Sequence, residues 1–123
     1  MHTIPDQHFH NAMDEILADS PYIKGYMFTM DGQNAGYALL GFTFSAEAGG
    51  LVILLEEAFV LPEFQGKGFG SELFAFVEKE FGGKARRLRL EVAPSNERAI
   101  RLYKRLGFTP LDYLQMHKDL NPS

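Results

Sequence analysis

Gly66, Gly68 and Gly70 stand at every second position in QGKGFGS, residues 65–71. Without Cβ atoms they let the backbone take unusual dihedral angles and let a ligand come close. Before them runs LVILLEEAFVL, residues 51–61. It is apolar on both alternating faces, which predicts a central strand covered on both sides. Pro62 has no N–H to give a ladder and ends the strand. After the glycines, Leu73, Phe74, Val77 and Phe81 fall on one stripe of a helix. Free N–H groups at a helix start, behind a glycine loop, make a site for an anion, most often a phosphate.

Glu56 and Glu57 interrupt the otherwise apolar strand. Buried carboxylates are costly unless paired or used, so both require a partner or a task. Neighbours on a strand point to opposite faces, so only one of the two is expected to face a given site. Glu57 is expected to be a structural acid paired with a cation. His8 and His10 flank Phe9, but two neighbours are too few for a metal site. A solvated or capping role is expected for both, and no metal. The chain has no cysteine, so no disulfide frame, thiolate metal site or cysteine nucleophile is available.

Two nucleotide-binding patterns can be tested against the glycine loop. The Walker pattern GxxxxGK[ST] does not match. The dinucleotide pattern GxGxxG fails by one residue, because the third glycine comes early. Glu91 does fall about twenty residues on, where a ribose-binding acid would sit. Dinucleotide folds, however, open with the glycine loop and add further parallel βα units.

The rest of the chain places the loop differently. Residues 8–19 predict a helix with Phe9, Met13, Ile16 and Leu17 on one stripe, closed by Ser20-Pro21. Residues 22–30 and 35–45 predict strands joined by Asp31-Gly32, a two-residue hairpin signal. With residues 51–61 they form an expected antiparallel meander whose aromatics belong to the core. Gly82-Gly83 is expected to stop the glycine-loop helix in the left-handed conformation. Residues 84–89 begin loop-like, and residues 87–92 alternate as a strand. That strand should lie parallel to residues 51–61 through a right-handed crossover. Asn96 offers a cap for a helix over 97–106. Gly107 stops that helix, and Phe108 can pack back on its last turn. Residues 111–118 predict a final strand, and the last three residues a frayed end.

Taken together, VLPEFQGKGFG (residues 60–70) and SNERAIRLYKRLGF (residues 95–108) resemble the GCN5-related N-acetyltransferases. Their pyrophosphate loop, Q/R-x-x-G-x-G/A, is satisfied by Gln65, Gly68 and Gly70. The resemblance covers residues 51–108 by motif and 22–45 by topology. It implies an α/β (α+β) fold: a mixed, mainly antiparallel sheet, a central βαβ crossover, and helices on both faces. It also implies a V-shaped splay between two parallel strands, with the pantetheine arm of acetyl-CoA in the gap. Backbone groups of Phe59, Val60 and Leu61 would bond that arm. The N–H groups of Gly66, Lys67, Gly68, Phe69, Gly70 and Ser71 would hold the pyrophosphate, with charge from Lys67. Asn96 matches the family asparagine that contacts the cofactor arm, and Tyr103 the tyrosine that protonates the leaving thiolate. Either Glu56 or Glu91 takes the position of an amine-binding or basic acid in different relatives.

The expected activity is acetyl transfer from acetyl-CoA to a primary amine of a small molecule or protein. A non-catalytic acyl-CoA sensor and a small dinucleotide-binding domain are the alternatives. With 123 residues, 46% of them apolar, the chain is read as one domain. Its net charge of −4 argues against broad nucleic-acid binding and favours cationic partners. No apolar run approaches the ~20 residues that span a bilayer, and the first ten residues lack a signal-peptide pattern. A cytoplasmic setting is expected. Family members usually begin with an additional strand and about two helices where this chain has one helix, so a homodimer partner is expected to complete the acceptor wall.

Overall fold

The computed structural model describes residues 6–121. The leader reading of residues 1–5 and the fraying expected for residues 122 and 123 lie outside them. The described chain divides into two units on either side of the Ala93–Pro94 bond.

The first unit holds helix α1 (Asp6–Leu17), strands β1 (Ile23–Met30), β2 (Gln33–Ser45) and β3 (Gly50–Val60), helix α2 (Phe69–Phe81) and strand β4 (Ala85–Arg89). The strands form one sheet in the order β1-β2-β3-β4. The first two pairings are antiparallel and the third is parallel. Asp31 and Gly32 both take positive φ, as a tight hairpin turn requires. The core sits on β2, β3 and α2, where Leu40, Val52 and Ile53 are almost wholly buried.

The two sheet faces carry different helices. On one, Phe28 meets Phe69 and Phe76, Tyr26 meets Phe76, and Phe42 meets Phe81, so α2 packs through aromatic edges. On the other, α1 sets Phe9 against Tyr37 and Ile16 over Gly25. Leu17, expected on that packing stripe, is instead 80% exposed.

Other expectations also need correction. β4 begins at Ala85 and ends at Arg89, so residues 84–89 are not mainly loop and Glu91 is past the strand. The end of α2 uses no left-handed glycine: Gly82 has φ −60 and its N–H donates to the Glu78 carbonyl at 2.8 Å. A Cβ there would overlap that carbonyl, so close approach, not handedness, selects glycine.

The second unit contains α3 (Glu97–Arg105). Gly107, at φ 97, ends it, and the Phe108 N–H donates to the Tyr103 carbonyl at 2.9 Å. The Phe108 ring lies edge-on to Tyr103 at 5.9 Å, the packing expected from the sequence. The strand expected over residues 111–118 does not form. Tyr113, Leu114 and Met116 are largely exposed. Alternation alone does not make a strand when the backbone finds no ladder partner.

Candidate active site

The site is built on the C-terminal half of β3. Its parallel pairing with β4 runs from Leu51↔Ala85 to Leu54↔Arg89 and stops there. β3 continues to Val60, paired only with β2. From Leu55 onward, one edge of the central strand therefore faces no strand among the described residues. A strand edge that its neighbour strand has left is where an extended, amide-rich ligand can add on. Phe59, Val60 and Leu61, the residues expected to bond pantetheine, close this stretch. Leu61 is tied back by its N–H to the Ala35 carbonyl at 2.8 Å.

The loop follows directly. Pro62–Phe64 make one 3-10 turn. Gly66 and Gly68 then take φ 77 and φ 83, a region costly for residues with a Cβ. Gly68 is the N-cap of α2 and supplies no side-chain cap. The first N–H groups of α2, from Phe69 through Ser71, thus open behind a left-handed glycine, the geometry that receives an anion. Lys67 sits over the Phe64 ring at 5.6 Å, which keeps its ammonium beside the loop. Gln65 turns its amide back to the Val60 carbonyl at 3.4 Å, so its side chain braces the strand end.

The acids are arranged otherwise than strand alternation predicts. Leu39 faces Glu57 and Leu40 faces Leu55, so Glu56 is an extra residue on β3, a β-bulge. A Cβ on Gly41 would lie 2.8 Å from a Glu56 carboxylate oxygen. The Tyr37 hydroxyl donates to Glu57 Oε1 at 2.8 Å. Tyr37 and Gly41 share one face of β2. Both carboxylates therefore stand on the α1 side of the sheet, and the expectation that only one could do so is corrected. Glu56 is exposed and Glu57 half-buried. Glu57 Oε2 is buried with no hydrogen-bond partner. Among the described residues no cation pairs with Glu57; its partner is a phenol, which corrects the ion-pair expectation. Burial, then the Glu57 hydrogen bond and charge, push the Tyr37 pKa up to about 12.

Glu91 is exposed and lies beyond β4. In the second unit, Asn96 Oδ1 accepts the Ala99 N–H at 3.2 Å and caps α3. Tyr103 is half-buried on that helix, and burial raises its phenol pKa. Among the described residues no three His, Asp or Glu cluster as metal ligands, and no helix is long and apolar enough to cross a membrane.

Two features are not legible in the sequence. Alternation assigns Tyr37 to the core with the other aromatics, but its hydroxyl meets Glu57 and its ring stacks on Phe59 with centroids 5.8 Å apart. The bulge had a faint signal in two successive acids within an apolar strand.

Comparisons with known proteins agree with this architecture. Residues 2–108 match the model of the acetyltransferase (GNAT) family, and the chain belongs to that family. It is 41% identical over 73 residues to bovine thialysine N-epsilon-acetyltransferase, covering 58% of this chain and 42% of that one. It is 34% identical over 100 residues to a putative [ribosomal protein bS18]-alanine N-acetyltransferase of Bacillus subtilis, covering 76% of this chain and 59% of that one. The chain thus spans about half the length of these relatives. Among solved structures, the fold is similar to a possible acetyltransferase from Clostridium difficile 630, with TM-score 0.80 and 17% identity, covering 98% of this chain and 80% of that one. It is also similar to AAC(6')-Iy in complex with a CoA bisubstrate analogue, with TM-score 0.73 and 23% identity, covering 94% and 80%.

Proposed function

We propose that this chain is an N-acetyltransferase that passes the acetyl group of acetyl-CoA directly to a primary amine. The observation that carries the reading is the stretch of β3 beyond its pairing with β4, running into a left-handed glycine loop at a helix start without a side-chain cap. Such a stretch suits the amide-rich pantetheine arm, and such a loop suits a diphosphate.

The roles are those the family resemblance implies, and chemistry says what each must do. Backbone groups of Phe59, Val60 and Leu61 bond the arm, and an N–H there polarises the thioester carbonyl. The N–H groups of Gly66 to Ser71 hold the pyrophosphate. The amine attacks the carbonyl carbon, and the C–S bond of the resulting tetrahedral adduct then breaks. An alkyl ammonium with pKa near ~10.4 must first lose a proton. Glu56 takes it, directly or through a water; its place on the bulge supports it over Glu91. The departing thiolate, whose parent thiol has a pKa of about 8.5, takes a proton from Tyr103. Asn96 contacts the cofactor arm by the family resemblance, although its Oδ1 already caps α3.

The acceptor class is a cationic amine, small or on a protein. The net charge of −4 and the exposed Glu56 carboxylate support it, as do the amine acceptors in the relatives' names. A chain without cysteine fits a reducing, cytoplasmic setting. The chain acts as one catalytic domain and works as a homodimer. Thiol release from acetyl-CoA across a panel of polyamines, aminoglycosides and lysine peptides tests the reading. Acceptor-dependent release is expected. Tight coenzyme A binding without release would make the chain an acyl-CoA sensor. Stabilisation by NAD but not by coenzyme A would make it a dinucleotide domain.

A further inference from the structure

The splayed half of β3 has lost one neighbour, so β2 and the side chains on it must hold its shape. The bulge at Glu56 adds slack, because a bulge breaks the ladder locally and leaves its extra residue outside the regular pairing. One side chain of β2 reaches across this stretch. Tyr37 lies opposite Phe59 in the ladder. Its ring stacks on Phe59 at 5.8 Å, and Phe9 of α1 meets it edge-on at 6.0 Å. Its hydroxyl donates to Glu57 Oε1 at 2.8 Å, while Glu57 Oε2 is buried and unpartnered. Among the described residues, the Tyr37 hydroxyl is thus the anchor of the Glu57 side chain. Glu57 is the residue immediately after the bulge.

We propose that Tyr37 is a positioning residue for acetyl transfer: its hydrogen bond to Glu57 pins the bulge, and the pinned bulge aims Glu56 at the acceptor. The proposal rests on the reading of β3 as the transfer strand. Its geometry contains a built-in asymmetry. Removing the hydroxyl frees Glu57 to seek another partner, and the backbone turns with it, because burying a carboxylate with both oxygens unpaired is costly. Replacing Glu57 by Gln leaves an oxygen for the Tyr37 hydroxyl to find. Charge at residue 57 is therefore dispensable, whereas the hydroxyl at residue 37 is not. Phe at residue 37 keeps both ring contacts, so the cofactor-facing backbone of Phe59 stays in place.

The test uses the full chain in the thiol-release assay. Tyr37→Phe should lower kcat by roughly 10- to 100-fold, the scale of a misaimed catalytic group. KM for acetyl-CoA should stay within about twofold, because the loop and Phe59 are untouched. Glu57→Gln should keep kcat within about threefold of wild type. The double variant should match Tyr37→Phe, since both changes act through one bond. Thermal denaturation of each variant corrects kcat for folded fraction. Unchanged kcat in Tyr37→Phe overturns the proposal. So does a Glu57→Gln loss as large as that of Tyr37→Phe, which would assign the role to charge. A wild-type chain that binds coenzyme A yet releases no thiol with any amine overturns the transfer reading itself, and does so before any variant is made.

Discussion

Gly36 and Phe59 back onto each other across β2 and β3 so closely that a Cβ on Gly36 would overlap the Phe59 carbonyl. The same methyl would stand 3.0 Å from the Val60 Cα and from the Phe69 ring. One missing side chain thus lets β2, the C-terminal end of β3 and the first residue of α2 converge. We expect Gly36→Ala to cost about 1–3 kcal/mol, the usual scale of overpacking, and to weaken coenzyme A binding by displacing Phe59 and Val60. Chemical denaturation and a coenzyme A titration check both. Wild-type affinity at reduced stability would show that the backbone of Phe59 and Val60 is not part of the cofactor site.

Gly41 provides the contrast. The atom its Cβ would meet is a Glu56 carboxylate oxygen at 2.8 Å, the movable end of a side chain. Gly41→Ala should therefore change stability little, within about 0.5 kcal/mol, while turning the Glu56 carboxylate aside. Turnover should fall about tenfold with KM for acetyl-CoA unchanged. Full activity in Gly41→Ala would shift the base to Glu91 or to water.

At Gly68 the cost is conformational. A Cβ there meets no atom within 4 Å, but φ is 83. Valine must either adopt a left-handed backbone, at about 1–2 kcal/mol, or reshape the loop. Either way the N–H groups that open α2 lose their arrangement. Gly68→Val should raise the coenzyme A dissociation constant by at least roughly tenfold, read by thermal-shift titration. Lys67→Ala, removing an exposed charge, should weaken binding only a few-fold, and less at high salt.

Tyr103 is half-buried, and burial raises its phenol pKa. The phenol stays protonated through the neutral range, as an acid for a thiolate must. Tyr103→Phe should lower kcat with little loss of coenzyme A binding. An unchanged kcat would remove it from the mechanism.

Alkaline stability offers a check on Tyr37. Its folded pKa is about 12, against an ordinary value near ~10. Between those values the unfolded chain has released the proton and the folded chain has not, so stability falls as pH rises through the window. Below about pH 10 the contribution is fully present. Urea midpoints measured from pH 8 to 12 should fall more steeply for wild type than for Tyr37→Phe. Parallel slopes would mean the Tyr37–Glu57 bond is not formed in solution.

What the sequence by itself determined is local. The glycine spacing and Pro62 located the loop, the apolar run located the central strand, and Asp31-Gly32 located the hairpin. These signals depend on each residue's own backbone preferences and on side-chain period, which near neighbours set. Even Asn96 as a cap and Gly107 as a helix stop followed from that logic. The tertiary structure decided what needs a partner strand. β4 leaves β3 after Leu54, residues 111–118 find no ladder, and Glu56 becomes an extra residue opposite β2. A register is a property of two strands, so no count along one of them reveals a bulge. That single inserted residue cancels the alternation and sets Glu56 and Glu57 on one face, with Tyr37 bonded to Glu57. The chemistry proposed here depends on that placement.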